Sequence, residues 1–259
     1  MSLFLSGLPL WIAAILLVVF PTIAAMCGPV LMHRRIGFER LASNNDIAGI
    51  KFATVGGIYG VLLAFAVVVV WGKFSDAETA VLQEAGASAT LYRLASGPAP
   101  EAVATRAALG NYLRLAVDRE WPLMATERES REVTQALDAL YAATLRLTEN
   151  GSKQPAIFVE MLRQLDAITQ ARRTRLQLAT GIVPGIVWMV LFCGAVLTVG
   201  FTFFFGTRNL PAQVMMTGIL SVLVFMGLLV IVSINYPFSG PVHVGSEPLK
   251  NVVEDFAHR

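Results

Sequence analysis

Residues 52–71 read FATVGGIYGVLLAFAVVVVW, an apolar run with no charged side chain and no proline. Three further charge-free runs match it: Leu8–Leu31, Ile182–Phe205 and Val214–Ile234. At about 1.5 Å of rise per residue, each can cross a hydrocarbon core of about 30 Å as a helix. Lipid offers no partners to backbone N–H and C=O groups, so runs of this length must satisfy them internally, as α-helices do. The fold class that follows is all-α with four transmembrane helices, and the first partner is the lipid bilayer.

Composition agrees. Of 259 residues, 55% are hydrophobic and 15% charged, and mean hydropathy is +0.62; a soluble domain carries about 25% charged residues. A net charge of +2 without a basic, aromatic-interleaved stripe excludes a nucleic-acid partner. Cys27 and Cys193 lie inside apolar runs and read as small buried hydrophobes, not as a disulfide framework or a zinc site. The opening MSLFLSGLPLW lacks the Lys or Arg of a signal peptide, and its apolar run outlasts the usual segment of about 7–15 residues, so a retained first span is expected.

The outer runs pair up. HRRIGFERLASNNDIAGIK joins the first two, and GTRNLPAQ, from Gly206 to Gln213, joins the last two as antiparallel neighbours. Between the pairs, Gly72–Thr180 is rich in Ala, Leu, Arg and Glu, which favours helix. Ser75 with Glu78 and Thr126 with Glu129 have capping-box spacing. GPAP at 97–100, Trp121-Pro122 and Asn150-Gly151 are expected helix breaks. Apolar stripes at Leu137, Leu140, Tyr141, Leu145 and at Ile157, Met161, Leu165, Ile168 predict a helical bundle. No breaker but Gly72 separates Trp71 from Ser96, and none separates Ala156 from Ala179. The second and third spans are therefore expected to extend out of the membrane into a bundle inserted between them, the second from Lys51 to Ser96 over about 70 Å. The expected divisions are 1–72, a helix pair; 73–180, the extramembrane bundle; 181–236, a second helix pair; and 237–259, a polar C-terminal tail.

Gly56, Gly60 and Ala64 recur at i, i+4, i+8 and give the second span one smooth face for helix packing or subunit contact. Gly181 and Gly185 form a second small pair around Pro184, where a kink is expected. No Asp, Glu, Lys, Arg or His interrupts the four runs, which argues against a proton relay or ion-coupled carrier. A channel gated by an apolar constriction needs no such residue. Metalloprotease, hydrolase, CxxC and phosphate-loop motifs are absent, His33, His243 and His258 are scattered, and nothing implies a cofactor, metal or catalytic residue.

The order of two helices, helical insert, two helices and a Pro-Phe-Ser-Gly turn resembles the bestrophin family, specifically its bacterial bestrophin-like branch without assigned function. The carrying residues are Gly57–Phe65 flowing into WGKFSDAE (71–78) with LYR (91–93), and NYPFSG (235–240) followed by SEPL (246–249). The resemblance implies a homopentameric channel for small inorganic anions such as chloride, with the second helix lining an apolar neck. Carried onto this chain, it makes Ile58, Leu62 and Phe65 neck candidates, with packing against the third and fourth spans as the alternative. It makes Asn235, Pro237, Phe238 and Gly240 the family turn. Calcium-activated members carry carboxylates before that turn; here stand Ile234, Asn235 and Tyr236, and Ca²⁺ needs six to eight oxygens, usually with carboxylates among them, so calcium gating is not carried over.

Positive charge leaves orientation balanced. Arg34, Arg35, Arg40, Lys51 and Arg208 would draw one side to the cytoplasm; Lys73, Arg163, Arg172, Arg173, Arg175 and Lys250 would draw the other. The resemblance leans towards a bundle in the cytoplasm beneath a bacterial inner membrane. Two functions follow from the whole: an oligomeric ion channel, or a non-conducting scaffold or sensor that relays state through the bundle.

Overall fold

The computed structural model describes residues 9–43, 45–149 and 155–257. The leading Met1–Leu8, the Asn150-Gly151 helix end and His258 lie outside the described residues. Among those described there is no strand. Four helices are long and apolar enough to cross a membrane: α1 (Leu10–Ile36), α2 (Asn45–Leu94), α6 (Gly185–Phe204) and α7 (Leu210–Ile234). Among the described residues the longer remaining helices are α3 (Pro100–Leu115), α4 (Arg131–Glu149), α5 (Pro155–Leu178) and α8 (Glu247–Ala257), with short helical turns at Phe38–Ala42 and Trp121–Met124. They group into two compact units, Met1–Gly72 with Gly181–Asn235 and Lys73–Thr180 with Tyr236–Arg259.

In the first unit, α1 packs along α7. The helices approach closely where glycine removes a side chain, as at Gly218, whose Cβ would stand 3.1 Å from Met26 Sδ. The connection ahead of α2 is held by Asn45, whose amide donates to the Gly206 carbonyl at 2.6 Å and whose oxygen accepts the Gly206 N–H at 2.9 Å. Asn209 caps α7 by accepting the Ala212 N–H.

The second unit buries Leu91, Leu109, Tyr112, Leu140 and Leu165 among α2, α3, α4 and α5. The residues after 237 do more than trail as a polar tail. Leu249 of α8 is fully buried in that core, and Phe256 stacks on Tyr92 with ring centroids 3.7 Å apart.

Several expected boundaries shift, each for a local reason. Helix α2 runs unbroken for 50 residues, so Ser75 is mid-helix and caps nothing. GPAP does end it: Gly97 has φ +120° and Pro100 opens α3 at N1. Trp121-Pro122 does not break the chain; α3 widens into a π-helical turn, Ala116–Glu120, and continues as Trp121–Met124. A proline cannot donate to the carbonyl four residues back and collides with it, and the wider turn relieves both problems. α1 does the same, with a π turn at Ile15–Val19 two residues before Pro21. Thr126 caps nothing either, since its hydroxyl donates back to the Leu123 carbonyl and the chain reverses through Glu127 at φ +58°. Leu145 and Ile157 turn outward, and Thr144 takes the inner position.

The third span does not extend out of the membrane as a continuous helix. α5 ends at Leu178 and α6 starts at Gly185, with residues 179–184 non-helical. Pro184 has no N–H and drives Val183 out of the helical region, so the expected kink is a full break.

Candidate functional site

The apolar part of α2 has one face turned to its own chain and the rest turned away. Tyr59 and Val70 are buried on the inner face. The Tyr59 hydroxyl donates to the Leu191 carbonyl at 3.1 Å, and its ring lies 2.5 Å from where a Cβ on Gly194 would be. Leu63 fits the same way against Gly227, at 2.7 Å. The sequence pattern at Gly194 and Gly227 did not single them out, because a lone glycine in an apolar run carries no spacing signal.

Ile58, Leu62 and Phe65 recur at i, i+4, i+7 and are 60%, 43% and 67% exposed. A Cβ on Gly60 would meet nothing within 4 Å, one on Gly56 would touch only Phe52 of its own helix, and Ala64 is exposed. The chain thus leaves the small-residue face open. Gly56 and Gly60 line a groove of about 380 Å³ with Phe52, Leu63, Thr198 and Leu223. Of the apolar window of α2, 11% is buried, against 39% for α7. Lipid or other protein must cover the remainder. Gly181 lies inside the 179–184 break and Gly185 opens α6 just after it; both are exposed, and a Cβ on Gly185 would meet nothing within 4 Å.

The turn motif has a definite structural task. Asn235 is buried, its side-chain oxygen accepts the Val183 N–H at 2.9 Å, and its carbonyl accepts the Ile182 N–H at 3.2 Å. These are amides that the break before Pro184 deprives of helical partners. Pro237 accepts the Val244 N–H at 2.7 Å, Gly240 turns at φ +83°, and Phe238 is buried with its ring edge-on to Trp121 at 5.7 Å. Among the described residues, no three of His, Cys, Asp and Glu come together as metal ligands.

Behind Trp121 lies a feature that the sequence patterns did not reveal. Glu84 of α2, Glu120 of the π turn and Arg175 of α5 are all fully buried. Arg175 donates through Nε to Glu84 Oε2 at 2.8 Å and through Nη2 to Glu84 Oε1 at 3.1 Å and Glu120 Oε2 at 3.0 Å. Arg172 donates to the same Glu120 at 2.6 Å and to Thr134 Oγ1 at 3.0 Å, and the Tyr112 hydroxyl donates to Glu84 Oε1 at 2.6 Å. Two carboxylates and two guanidiniums cancel, and each element supplies its partner's hydrogen bonds. Burial pushes the Tyr112 hydroxyl well above its ordinary range, with the charge of Glu84 adding to it. Burial alone would lower Arg175, but the charge and hydrogen bonds of Glu84 hold it above the usual arginine value. The Arg175 guanidinium also lies 4.8 Å over the Trp121 ring.

A signal for this network existed. Ala77, Val81, Glu84, Ser88, Leu91 on α2 and Met161, Leu165, Ile168, Arg172, Arg175 on α5 share the same 4-3-4-3 spacing, and all but Ser88 and the named charges read as core. Arg172 and Arg175 are thus internal and paired, not free cations flanking a span. Cys27 and Cys193 are both free and on the chain's exposed surface, contrary to the buried reading.

Comparison with known proteins bears on the whole chain. The model of the Bestrophin-like domain family matches residues 19–249. A crystal structure of a bacterial bestrophin homologue from Klebsiella pneumoniae superposes with TM-score 0.73 at 15% identity, over 93% of this chain and 97% of that one. A variant of that homologue gives 0.74 at 15% identity over 93% and 99%, and a structure described as a membrane protein gives 0.74 at 16% over 93% and 97%. At such identities the likeness is one of fold. No curated protein matches by sequence.

Proposed function

The chain belongs to the bestrophin-like family and is an integral membrane protein, and on that footing we propose that it assembles into an oligomeric, anion-selective channel for chloride. Five copies of α2 would surround the axis, as the family resemblance implies. The observation that carries this reading is the uncovered stripe of α2 on which Ile58, Leu62 and Phe65 are exposed at helical spacing, on the side of the helix away from the glycine groove. Copies of the chain gathered with that stripe inward would bring those three side chains to a shared axis as an apolar neck, leaving Gly56, Gly60 and Ala64 on the far side of α2 for packing between helices. With no ionisable residue in the four runs, such a neck would gate by dewetting. Anion preference would come from helix N-termini and phenyl edges such as that of Phe65.

We place 73–180 as a cytoplasmic bundle inserted between the helix pairs 1–72 and 181–236, with 237–259 attached to it, in a bacterial inner membrane. A cysteine at exposed Gln135, in a background lacking Cys27 and Cys193, reports the side through an impermeant thiol reagent. The function is tested electrically. Purified protein in planar bilayers should carry chloride-selective current, and Leu62→Ala should change its conductance; well-inserted but silent protein would overturn the proposal.

The unbroken course of α2 from Asn45 to Leu94 favours a second reading, a non-conducting scaffold or sensor that uses this helix as its relay. An assembly without a central axis would select it.

A further inference from the structure

A second surface of the first unit is built for a ligand of mixed character. Between α1 and the start of α7 opens a groove of about 890 Å³, within the range of small-molecule sites. Ile23, Cys27, Val30 and Leu31 of α1 and Phe203 and Val214 opposite give it an apolar wall. Its depth depends on Gly28, where a Cβ would come within 2.5 Å of the Phe203 ring. Any larger residue at 28 would force that ring to move.

One charged side chain lines it. Arg34 stands in the last turn of α1, is exposed, and forms no ion pair among the described residues, although Glu39 and Asp46 follow closely in sequence. Val214 belongs to the early turns of α7, so the positive end of a second helix dipole adds to the guanidinium there. The opposing contribution is the C-terminal carbonyl end of α1, on which Arg34 itself sits. A cation closing an apolar groove along two membrane-crossing helices matches a molecule with an anionic head and hydrocarbon tails.

We infer that this groove is a selective site for an anionic phospholipid, its acyl chain along Ile23–Leu31 and its phosphate on Arg34. The site is separate from the α2 face and needs only that the helices span a membrane, so it stands or falls independently of conduction. Native mass spectrometry of the detergent-purified protein, titrated with phosphatidylglycerol and phosphatidylcholine of equal chain length, tests it. Phosphatidylglycerol should be retained about fivefold better, because the choline of phosphatidylcholine offsets the phosphate charge presented to Arg34, a difference of about 1 kcal/mol. Arg34→Gln should abolish that preference and Arg35→Gln, outside the lining, should keep it. Val30→Trp, which fills the groove, should reduce retention of both lipids. Equal retention of the two lipids by the unmodified protein, an unchanged preference in Arg34→Gln, or equal binding of glycerophosphate without acyl chains would each overturn the inference. Particle mass and thermal unfolding of each variant confirm that it is folded.

Discussion

Glu84 and Arg175 sit on helical stripes that are otherwise mostly apolar, and each is tolerable only because the other is there. Removing one partner strands a charge in the core. Glu84→Gln is expected to cost about 3–5 kcal/mol, read as a drop in thermal unfolding temperature in detergent. Glu84→Gln combined with Arg175→Met should cost less than the two single changes summed, because the double change leaves no stranded partner between these two. Tyr112 makes the same cluster sensitive to alkali. Its hydroxyl ionises near 10.0 when unfolded and is held well above that when folded, first by burial and then by Glu84. The unfolded state therefore gives up this proton first, so stability is full below about pH 10 and is lost as pH rises through the folded value. Unfolding of the purified protein between pH 9 and 11 should show that loss, and Tyr112→Phe should flatten it.

Among the described residues two helices carry a π turn, and in each it ends two residues before a proline, Pro21 or Pro122. In α3 the extra residue brings Glu120 inward while Arg119 stays exposed, so a backbone accommodation to proline supplies one of the buried carboxylates. Pro184 acts differently because Gly181 precedes it and no helix is sustained between them; Asn235 then completes the backbone hydrogen bonding. Helix packing is fixed elsewhere, at Gly194 against Tyr59. That ring is buried and tethered to the Leu191 carbonyl, so it cannot swing aside for a methyl group. Gly194→Ala should destabilise the protein by about 1–3 kcal/mol, as judged by thermal unfolding. Adding Tyr59→Ala should recover part of the loss relative to Tyr59→Ala alone.

Gly60 poses the opposite case. Its missing side chain leaves open space within one chain, so Gly60→Leu should spare the fold of the protomer while disrupting assembly. Native mass spectrometry should find a single higher oligomer for the unmodified protein and a shift to smaller species for the variant, with unchanged helical content by circular dichroism. An unaltered oligomer would mean that this face of α2 meets lipid. The low burial of the α2 window makes an isolated protomer a poor end state, because an extended small-residue groove gains little from flexible acyl chains that fill it loosely.

The four spans, the all-helical class, the GPAP break and the family were legible in residue order, because lipid permits so few backbone solutions that apolar length alone selects one. The long second helix was legible too: it was expected from Lys51 to Ser96, with only Gly72 as a weak breaker, and it runs from Asn45 to Leu94. Tertiary structure alone decided the rest. Pairing of Glu84 with Arg175 joins positions 91 apart in the chain, and periodicity cannot say which distant partner makes a charge affordable inside a core. Whether a glycine marks close packing, as Gly194 does, or an open face, as Gly60 does, depends on what stands opposite it. That is a property of the fold in three dimensions and not of spacing along one helix.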